Sequence, residues 1–515
     1  MSNLKRVRDA HEHRIPMSFL SARELAGLAP ADEAAFRSPV PTQMVSNAEF
    51  NPLPQTEKQR EVEARIKNYA DKNGRKHGMD LGKFLRSPMG MAAAFVAMND
   101  VYGDLFAVDR GEDVDLSAAL ARQKKFAKQF VFDGQVHFVR DDYTWDEHAD
   151  LARFAADHGW NPALGPSGHI TIDMYKFDNF FKEIYFDSDT HIGLLSGAPT
   201  DDPDKTFLSN DQIKEAADFV NGLAKNKRLY YHAMITPKSP GWMEEVYRAI
   251  EVLKPTSWKG YTVGDPILPE TPRYPWRLDD EQEMYPFYEK AIKAGVTTVC
   301  IHKGLLPADY MNSMPNGWKY ATADDVGKAA KDWPQIDFVI YHSALAVFQQ
   351  DFVDARYETT GELRWVSDLA KIPEKFGVTN VYADLGTVFG CCCTTSPRIA
   401  GAILGMLIKG LGYDHLFWGA DAVWQGGPQW QIEAFRRLEI PEDLQKRFGY
   451  APLGEPDGPV KSSILGLNAA RHYNIPVKEG DLSQWEQDGV GKMKLAYLKE
   501  GGQRSNAAYG YVVRS

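Results

Sequence analysis

Cysteine, long apolar runs and excess positive charge are all scarce in this chain of 515 residues. It has four cysteines, too few for a disulfide framework, so a reduced, cytoplasmic protein is expected. The most apolar stretch, Met89 to Met98, is far shorter than the roughly 20 residues that cross a bilayer. Neither a secretory signal nor a membrane span is therefore expected.

The excess of acidic residues limits the classes of molecule that this chain is expected to bind. The formal net charge is −11, whereas nucleic-acid binders generally show a basic face. A few local Arg or Lys residues can still reverse the field inside a cleft, so an anionic small molecule stays open as substrate. No G-x-G-x-x-G phosphate loop follows an early strand, which disfavours a doubly wound dinucleotide-binding sheet.

Helical patterns dominate the first part of the chain, and short β-rich runs recur after residue 130. Helices are predicted at residues 57–71, 88–101 and 116–130, with Ser87 as the cap of the second. Eight strands are predicted, at residues 130–138, 181–186, 228–235, 257–263, 297–302, 337–342, 380–385 and 415–421. Strands alternating with helices indicate a parallel sheet, and eight such units favour an α/β (β/α)₈ TIM barrel.

Three parts follow from this order. Residues 1–128 are expected to form an N-terminal helical arm, and residues 129–475 the barrel. A C-terminal helical extension, with helices at 430–438 and 460–472, leads into a polar tail at 476–515.

Four of the predicted strands end in a polar residue. Active sites of such barrels lie at the carboxyl ends of the strands. The four residues are His137, His302, His342 and Asp421. Gln135 shares the face of His137 because side chains alternate along a strand. Imidazole and carboxylate ligands suit zinc, iron or manganese, and such a cation lowers the pKa of a bound water to about 7. One strand-end histidine is more often structural, but four coincident positions predict a metal centre.

The motifs around these residues resemble the amidohydrolase superfamily, in the branch of aminocarboxymuconate-semialdehyde decarboxylase. The matching segments are Asp133-Gly-Gln-Val-His137, Ile301-His-Lys-Gly304, Tyr341-His-Ser-Ala344, Trp418-Gly-Ala-Asp421 and Asn468-Ala-Ala-Arg471. The resemblance implies one or two divalent metal ions, with His137, His302 and Asp421 as ligands. It leaves His342 as a further ligand or as an acid/base group, and it implies a homodimer.

Gln135 departs from the family, which has the first histidine of an H-x-H motif there. Gln135 could bind the metal through its amide oxygen, which would favour manganese or iron. His342 could complete the ligand shell instead, or the metal could be lost. Lys259, near the fourth strand, could bridge two metals if carboxylated as in some relatives, although a solvated surface lysine is favoured.

Four further residues are candidates for the site. Trp424 is expected to form an aromatic wall of the pocket. Lys303 could clamp a substrate carboxylate, although a side chain next to an inward histidine points outward. His191, after the second predicted strand, could line the site or belong to a turn. Asp384 ends the seventh strand and is expected to orient a ligating histidine.

Three functions are compatible with these residues. The first is a hydrolase of an amide, ester or related carbonyl bond in a small molecule. In it Asp421 would accept the proton of the attacking water, and His342 would polarise the carbonyl or protonate the leaving group. The alternative is metal-dependent decarboxylation of a conjugated or aromatic carboxylic acid without an organic cofactor. A metal-free, non-enzymatic relative is the third.

Overall fold

Eight parallel strands close into a barrel at the centre of the molecule. The computed structural model describes residues 28–30, 37–47, 49–50, 52–143, 172–200, 206–264, 273–306, 310–346, 350–478, 480–506 and 510–513. The strands are β1 Leu28–Pro30, β2 Phe132–Val136, β3 Ile192–Leu195, β4 Leu229–Met234, β5 Ser257–Tyr261, β6 Thr298–His302, β7 Asp337–Tyr341, β8 Val381–Asp384, β9 Leu416–Phe417 and β10 Tyr511–Val513.

The barrel sheet runs in chain order from β2 to β9. Its first and last strands meet where the Gly134 N–H donates to the Trp418 carbonyl over 2.8 Å, and a parallel bridge joins Val136 to Ala422. The prediction of a (β/α)₈ TIM barrel is therefore confirmed.

Helices cover the outside of the barrel and form its extensions. The α-helices are Glu57–Lys76, Leu81–Leu85, Pro88–Tyr102, Leu116–Phe126, Phe177–Phe181, Asn210–Ala224, Trp242–Arg248, Met284–Ala294, Tyr310–Ser313, Val326–Asp332, Gln350–Thr360, Val366–Ala370, Ile372–Phe376, Val388–Cys392, Pro397–Leu411, Gln429–Arg437, Glu442–Phe448, Pro459–Ser462, Asn468–His472, Ser483–Glu486 and Gly489–Lys499. Short π-helical turns are Lys182–Phe186, Ala249–Leu253 and Ser463–Leu467. Short 3₁₀ turns are Ile172–Tyr175, Trp318–Ala321, His342–Ala344 and Tyr413–His415.

Local chemistry sets the boundaries of the N-terminal helices. Thr56 and Gln59 form a capping box, in which each side chain accepts from the backbone N–H of the other residue. Ser87 Oγ accepts from the Gly90 N–H, and Pro88 occupies the first turn, as predicted. These caps satisfy donors that a helix start leaves open.

The second barrel strand lies elsewhere than predicted. The run at 181–186, rich in aromatic and β-branched residues, continues the helix Phe177–Phe181 as a π-helical turn. Phe180, Ile184 and Tyr185 are buried on this helix. The strand is β3, Ile192–Leu195, so an aromatic run packed on the barrel was mistaken for part of the sheet.

The C-terminal extension covers the amino end of the barrel. Cys300, Val339 and Tyr341 from the strands belong to one buried cluster with Leu482 and Trp485 of the extension. The Trp485 ring lies 4.8 Å from Phe130, just ahead of β2. This end of the barrel is therefore filled, and access to the interior is left to the carboxyl end.

Segments from both ends of the chain meet beyond the barrel. β1 pairs antiparallel with β10, so residues 1–128, expected to form a helical arm, also contain a short strand. Among the described residues, no helix is long and apolar enough to span a bilayer. The four cysteines are unbridged and buried.

Candidate metal centre

Strand ends deliver the predicted site residues to one place. β6 ends at His302, while His137, His342 and Asp421 lie just past β2, β7 and β9. His342 and Asp421 have φ angles of 60° and 56°, a left-handed conformation that non-glycine residues rarely adopt. Such strain persists where the surroundings hold it, which is common at functional sites.

His137 and Asp421 form one side of the centre. His137 Nε2 lies 3.2 Å from Asp421 Oδ1, and both side chains are at most 5% exposed. His137 Nδ1 lies 2.8 Å from the Ser196 carbonyl oxygen, which can only accept, so Nδ1 carries the proton. Nε2 faces the carboxylate of Asp421, to which it donates a hydrogen bond when the ring carries a proton on both nitrogens.

His302, His342 and Glu49 form the other side. The two imidazole rings pack edge to face with centroids 4.5 Å apart. Glu49 Oε1 lies 2.8 Å from His302 Nε2. One donor atom from each of the three residues lies within 4.8 Å of the others.

Gln135 joins the two sides. Its Nε2 donates to Asp421 Oδ1 over 3.0 Å and lies 3.3 Å from His342 Nε2. Its Oε1 is buried and has no hydrogen-bond partner within the described chain. His342 Nδ1 donates to the Gly386 carbonyl over 2.9 Å, so its Nε2 lone pair also faces the centre.

The pKa shifts at the centre favour the protonation states in which these side chains can bind a metal ion. Burial, together with the neighbouring His302, lowers the pKa of His342 to about 3, so His342 is neutral at pH 7. Burial raises the pKa of Asp421, but the hydrogen bond and charge of His137 outweigh it and hold the pKa below its usual range. Burial alone would raise the pKa of Glu49, but the charge and hydrogen bond of His302 outweigh it, so the pKa lies below its ordinary value.

The residues present fit a divalent cation. Neutral imidazole nitrogens and ionised carboxylates are the donors that zinc, iron and manganese take. The backbone carbonyls of Ser196 and Gly386 fix the tautomers of His137 and His342, as partners of metal-ligating histidines do. Glu49, His302 and His342 make a possible metal site.

Two predicted peripheral residues lie at the centre. The Trp424 ring lies 5.9 Å from the His137 ring. Asp384 Oδ1 accepts the Gly386 N–H over 2.9 Å, and the Gly386 carbonyl in turn holds His342. Asp384 therefore positions a histidine through the backbone of Gly386 rather than by touching its ring.

Two other predicted residues lie away from the centre. Lys303 Nζ is buried against Asp325 and the Tyr320 carbonyl, at 2.9 and 2.8 Å, because its side chain leaves the barrel opposite to His302. His191 precedes β3, and its Nδ1 accepts from the Val131 N–H at the amino end of the barrel. Neither Lys303 nor His191 therefore lies beside the centre in this structure.

Lys259 is buried in β5, not solvated as favoured from the sequence. Its Nζ lies 3.3 Å from the centroid of the Tyr341 ring and has no hydrogen-bond partner within the described residues. Burial lowers its pKa to about 8.

A groove opens beside the centre, and its residues were missed by sequence reasoning. It lies at the carboxyl ends of β3, β4 and β5. Tyr261, Tyr274 and Trp276 give it aromatic walls, and Arg273 adds a cation. Tyr261 also stacks on His302 with centroids 4.6 Å apart, so groove and centre share a wall.

Glu49 was also missed. It lies 253 residues from His302 in sequence and outside every barrel strand, so no spacing pattern connects the two. The single hint was the loss of a ligand at Gln135, which called for a donor from elsewhere without naming it.

Fold and centre together define a (β/α)₈ barrel with a histidine–carboxylate site at the carboxyl ends of its strands. The model of the amidohydrolase family, described as "Amidohydrolase", matches residues 265–475. The resemblance seen in the motifs is therefore confirmed over this region. No curated protein matches the chain.

Three solved structures match about two thirds of this chain over nearly their own full length, at low sequence identity. An uncharacterised TIM-barrel protein from Bordetella bronchiseptica is 13% identical, covering 66% of this chain and 97% of its own, with a TM-score of 0.40. The 5-carboxyvanillate decarboxylase from Sphingomonas paucimobilis is 15% identical, covering 68% and 100%, with a TM-score of 0.38. The corresponding enzyme from Novosphingobium aromaticivorans, complexed with manganese and 4-hydroxy-3-methoxy-5-nitrobenzoic acid, is 12% identical, covering 68% and 97%, with a TM-score of 0.39.

Proposed function

We propose that this protein is a metal-dependent carboxy-lyase that removes CO₂ from a small aromatic or conjugated carboxylic acid without an organic cofactor. The observation that carries the proposal is the groove, because it places aromatic walls and an arginine directly beside the His302 side of the centre.

The groove residues would bind and orient the substrate. Tyr261 and Trp276 offer faces on which a planar ring can stack. Arg273 presents a planar guanidinium, which pairs with carboxylates through two parallel hydrogen bonds. A planar acid held this way would direct one edge toward His302.

The centre would supply the charge stabilisation and the proton. A divalent cation held by His302, His342 and the carboxylates would act as a Lewis acid toward substrate oxygens. The pair of His137 and Asp421 can hold a proton at His137 Nε2. That proton would go to the carbon that loses CO₂, so the substrate carboxylate leaves as CO₂ and a C–H bond replaces the C–C bond.

Burial supports a reaction in which water is not a substrate. His137, His302, His342 and Asp421 are each at most 4% exposed. A site with little water strengthens its electrostatic interactions and limits competing hydrolysis.

Hydrolysis of a carbonyl bond stays the second candidate because of Asp421. Its pKa lies below the usual range, so it is ionised at neutral pH and can accept a proton from a water molecule. Under this function the groove would bind an acidic amide or ester instead of an acid that loses CO₂.

The two reactions are distinguished by their products. Manganese-loaded protein is incubated with single-ring carboxylic acids, and with their amides and esters in ¹⁸O-labelled water, and products are measured by mass spectrometry. We expect CO₂ release from the acids; ¹⁸O incorporation into a product acid instead would establish hydrolysis.

The groove is tested by Arg273→Met. Loss of a charged hydrogen bond to the substrate should raise KM about 10- to 100-fold with a smaller change in kcat. Arg277→Met is the matched control, since Arg277 pairs with Asp279 and does not line the groove. Equal KM values in both variants would contradict the assigned groove.

A further inference from the structure

We propose that Glu49 is a metal ligand that replaces the one missing from β2. Glu49 lies in the described residues 37–47 and 49–50, which we call the arm segment. This inference rests on the metal-dependent function proposed above. Its first support is geometric: Glu49 Oε1 lies 2.8 Å from His302 Nε2 and shares a donor cluster with His342.

Gln135 presents the wrong end of its amide to the centre. Its Nε2 hydrogens face Asp421 Oδ1 and His342 Nε2. Turning the amide over would set its oxygen against these two acceptors, and neither would gain a hydrogen bond. As placed, Gln135 offers no lone pair to a cation, so β2 itself contributes no metal ligand.

Asn47 orients the Glu49 carboxylate. Its Nδ2 donates to Glu49 Oε2 over 2.7 Å and to Asp421 Oδ2 over 3.0 Å. Its Oδ1 accepts the Glu49 N–H over 3.1 Å. One oxygen of Glu49 is therefore held by Asn47 while the other is directed to His302, and the same amide ties the arm segment to the β9 carboxylate.

The arm segment is docked, so Glu49 is not carried on a loose tail. Val40, Met44 and Val45 are at most 2% exposed. The Val45 carbonyl accepts Gln425 Nε2 over 2.9 Å from the loop after β9. Because Glu49 lies on a docked segment, metal binding and docking of the arm segment are coupled. A metal that binds Glu49 also stabilises the docked arm segment.

Charge completes the argument. Glu49 and Asp421 together bring two negative charges, which match a divalent cation among neutral imidazoles. An amide at position 135 is neutral, so without Glu49 the centre would have a single carboxylate ligand.

The test measures manganese affinity by competition with a fluorescent chelator, on the full chain. Variants are Glu49→Gln, Glu49→Asp, His302→Ala and the control Glu61→Gln, an exposed glutamate of the helix Glu57–Lys76. We expect Glu49→Gln to weaken Mn²⁺ binding about tenfold or more, Glu49→Asp to weaken it less, and Glu61→Gln to leave it unchanged. The rise in Tm on adding Mn²⁺ is a second measurement on any variant that folds poorly.

The outcomes separate this inference from the proposed function. Wild-type affinity in Glu49→Gln together with weak binding in His302→Ala would overturn the role of Glu49 and leave the metal centre standing. Wild-type affinity in both variants would overturn the centre itself. A Tm rise in Glu49→Gln equal to that of the wild type would likewise count against Glu49.

Discussion

Two buried charged clusters differ in how completely their atoms are paired. Ahead of β3, Asp189 accepts hydrogen bonds from Gln429, Arg436 and Arg504. At the carboxyl end, Gln135 Oε1 and Lys259 Nζ lack partners within the described chain. A cluster whose polar atoms are all hydrogen-bonded stabilises the fold. A buried cluster with unpaired donors and acceptors has an uncompensated desolvation free energy, which a bound ligand can offset.

The two clusters also differ in what they connect. Arg436 lies on the helix after the barrel and Arg504 in the C-terminal segment, so the Asp189 cluster joins parts of the scaffold. The metal centre joins four strand ends to the arm segment. We expect the first cluster to govern the free energy of unfolding and the second to govern ligand affinity.

The largest effect on stability should come from Asp189→Ala. The substitution removes one of the two carboxylates that pair with the fully buried Arg436, the other being Glu433, which costs about 3 kcal/mol. Urea denaturation measures the loss, and Mn²⁺ affinity should stay unchanged. The exposed Asp71→Ala, whose partner is Arg75, should cost about 0.5 kcal/mol or less. Similar losses in both variants would remove the contrast between the clusters.

Gln135→Glu is expected to have a smaller effect on stability, destabilising the metal-free protein but not the manganese-bound one. A carboxylate there loses the amide hydrogen bonds to Asp421 and His342 and adds repulsion, so the metal-free protein should lose about 1–3 kcal/mol. Manganese should restore this loss, giving a larger metal-induced rise in Tm than in the wild type. The exposed Gln487→Glu should change neither quantity. A reduced metal-induced rise would show that position 135 faces away from the cation.

The smallest effect is expected from Lys259→Met. Its amine is charged in the unfolded chain up to about pH 10.5, but burial lowers its pKa to about 8 in the fold. Between these values the unfolded chain binds more protons, so this group makes stability rise with pH from about 8 to 10.5. Methionine should remove that part of the rise and gain about 1 kcal/mol at pH 7.

Stability profiles of wild type and Lys259→Met from pH 7 to 10.5 provide the measurement. The comparison is needed because Lys494, near Asp189, also has a pKa lowered by burial to about 8 and remains in both proteins. Parallel profiles would mean that Lys259 keeps its charge in the folded state.

Sequence patterns located most of the barrel. Seven strands, β2 and β4 to β9, lie within their predicted ranges because each is a short run rich in apolar and aromatic residues. The second strand was misplaced because Phe181 and Tyr185 suit a strand by composition, while packing on the barrel keeps them helical. The error carried His191 into the predicted site, since a residue after a false strand end was placed at the wrong end of the barrel.

The site was predictable where one strand end sufficed and unpredictable where distant segments meet. His137, His302, His342 and Asp421 each follow from their own strand. Glu49 depends on how the arm segment docks, which only the packing of the whole chain decides. The metal identity, the homodimer, the cytoplasmic location and the division into arm, barrel and tail stay predictions.

The β1–β10 pairing has a consequence for synthesis. Tyr511–Val513 is translated after the whole barrel, while Leu28–Pro30 emerges before it. At ~5–20 residues per second, the early strand waits roughly half a minute or more for its partner. The Gly510 backbone lies against Ser46 and Trp424, so the same late contact buttresses the arm segment. The arm segment that carries Glu49 therefore gains this support only after all eight barrel strands have been synthesised.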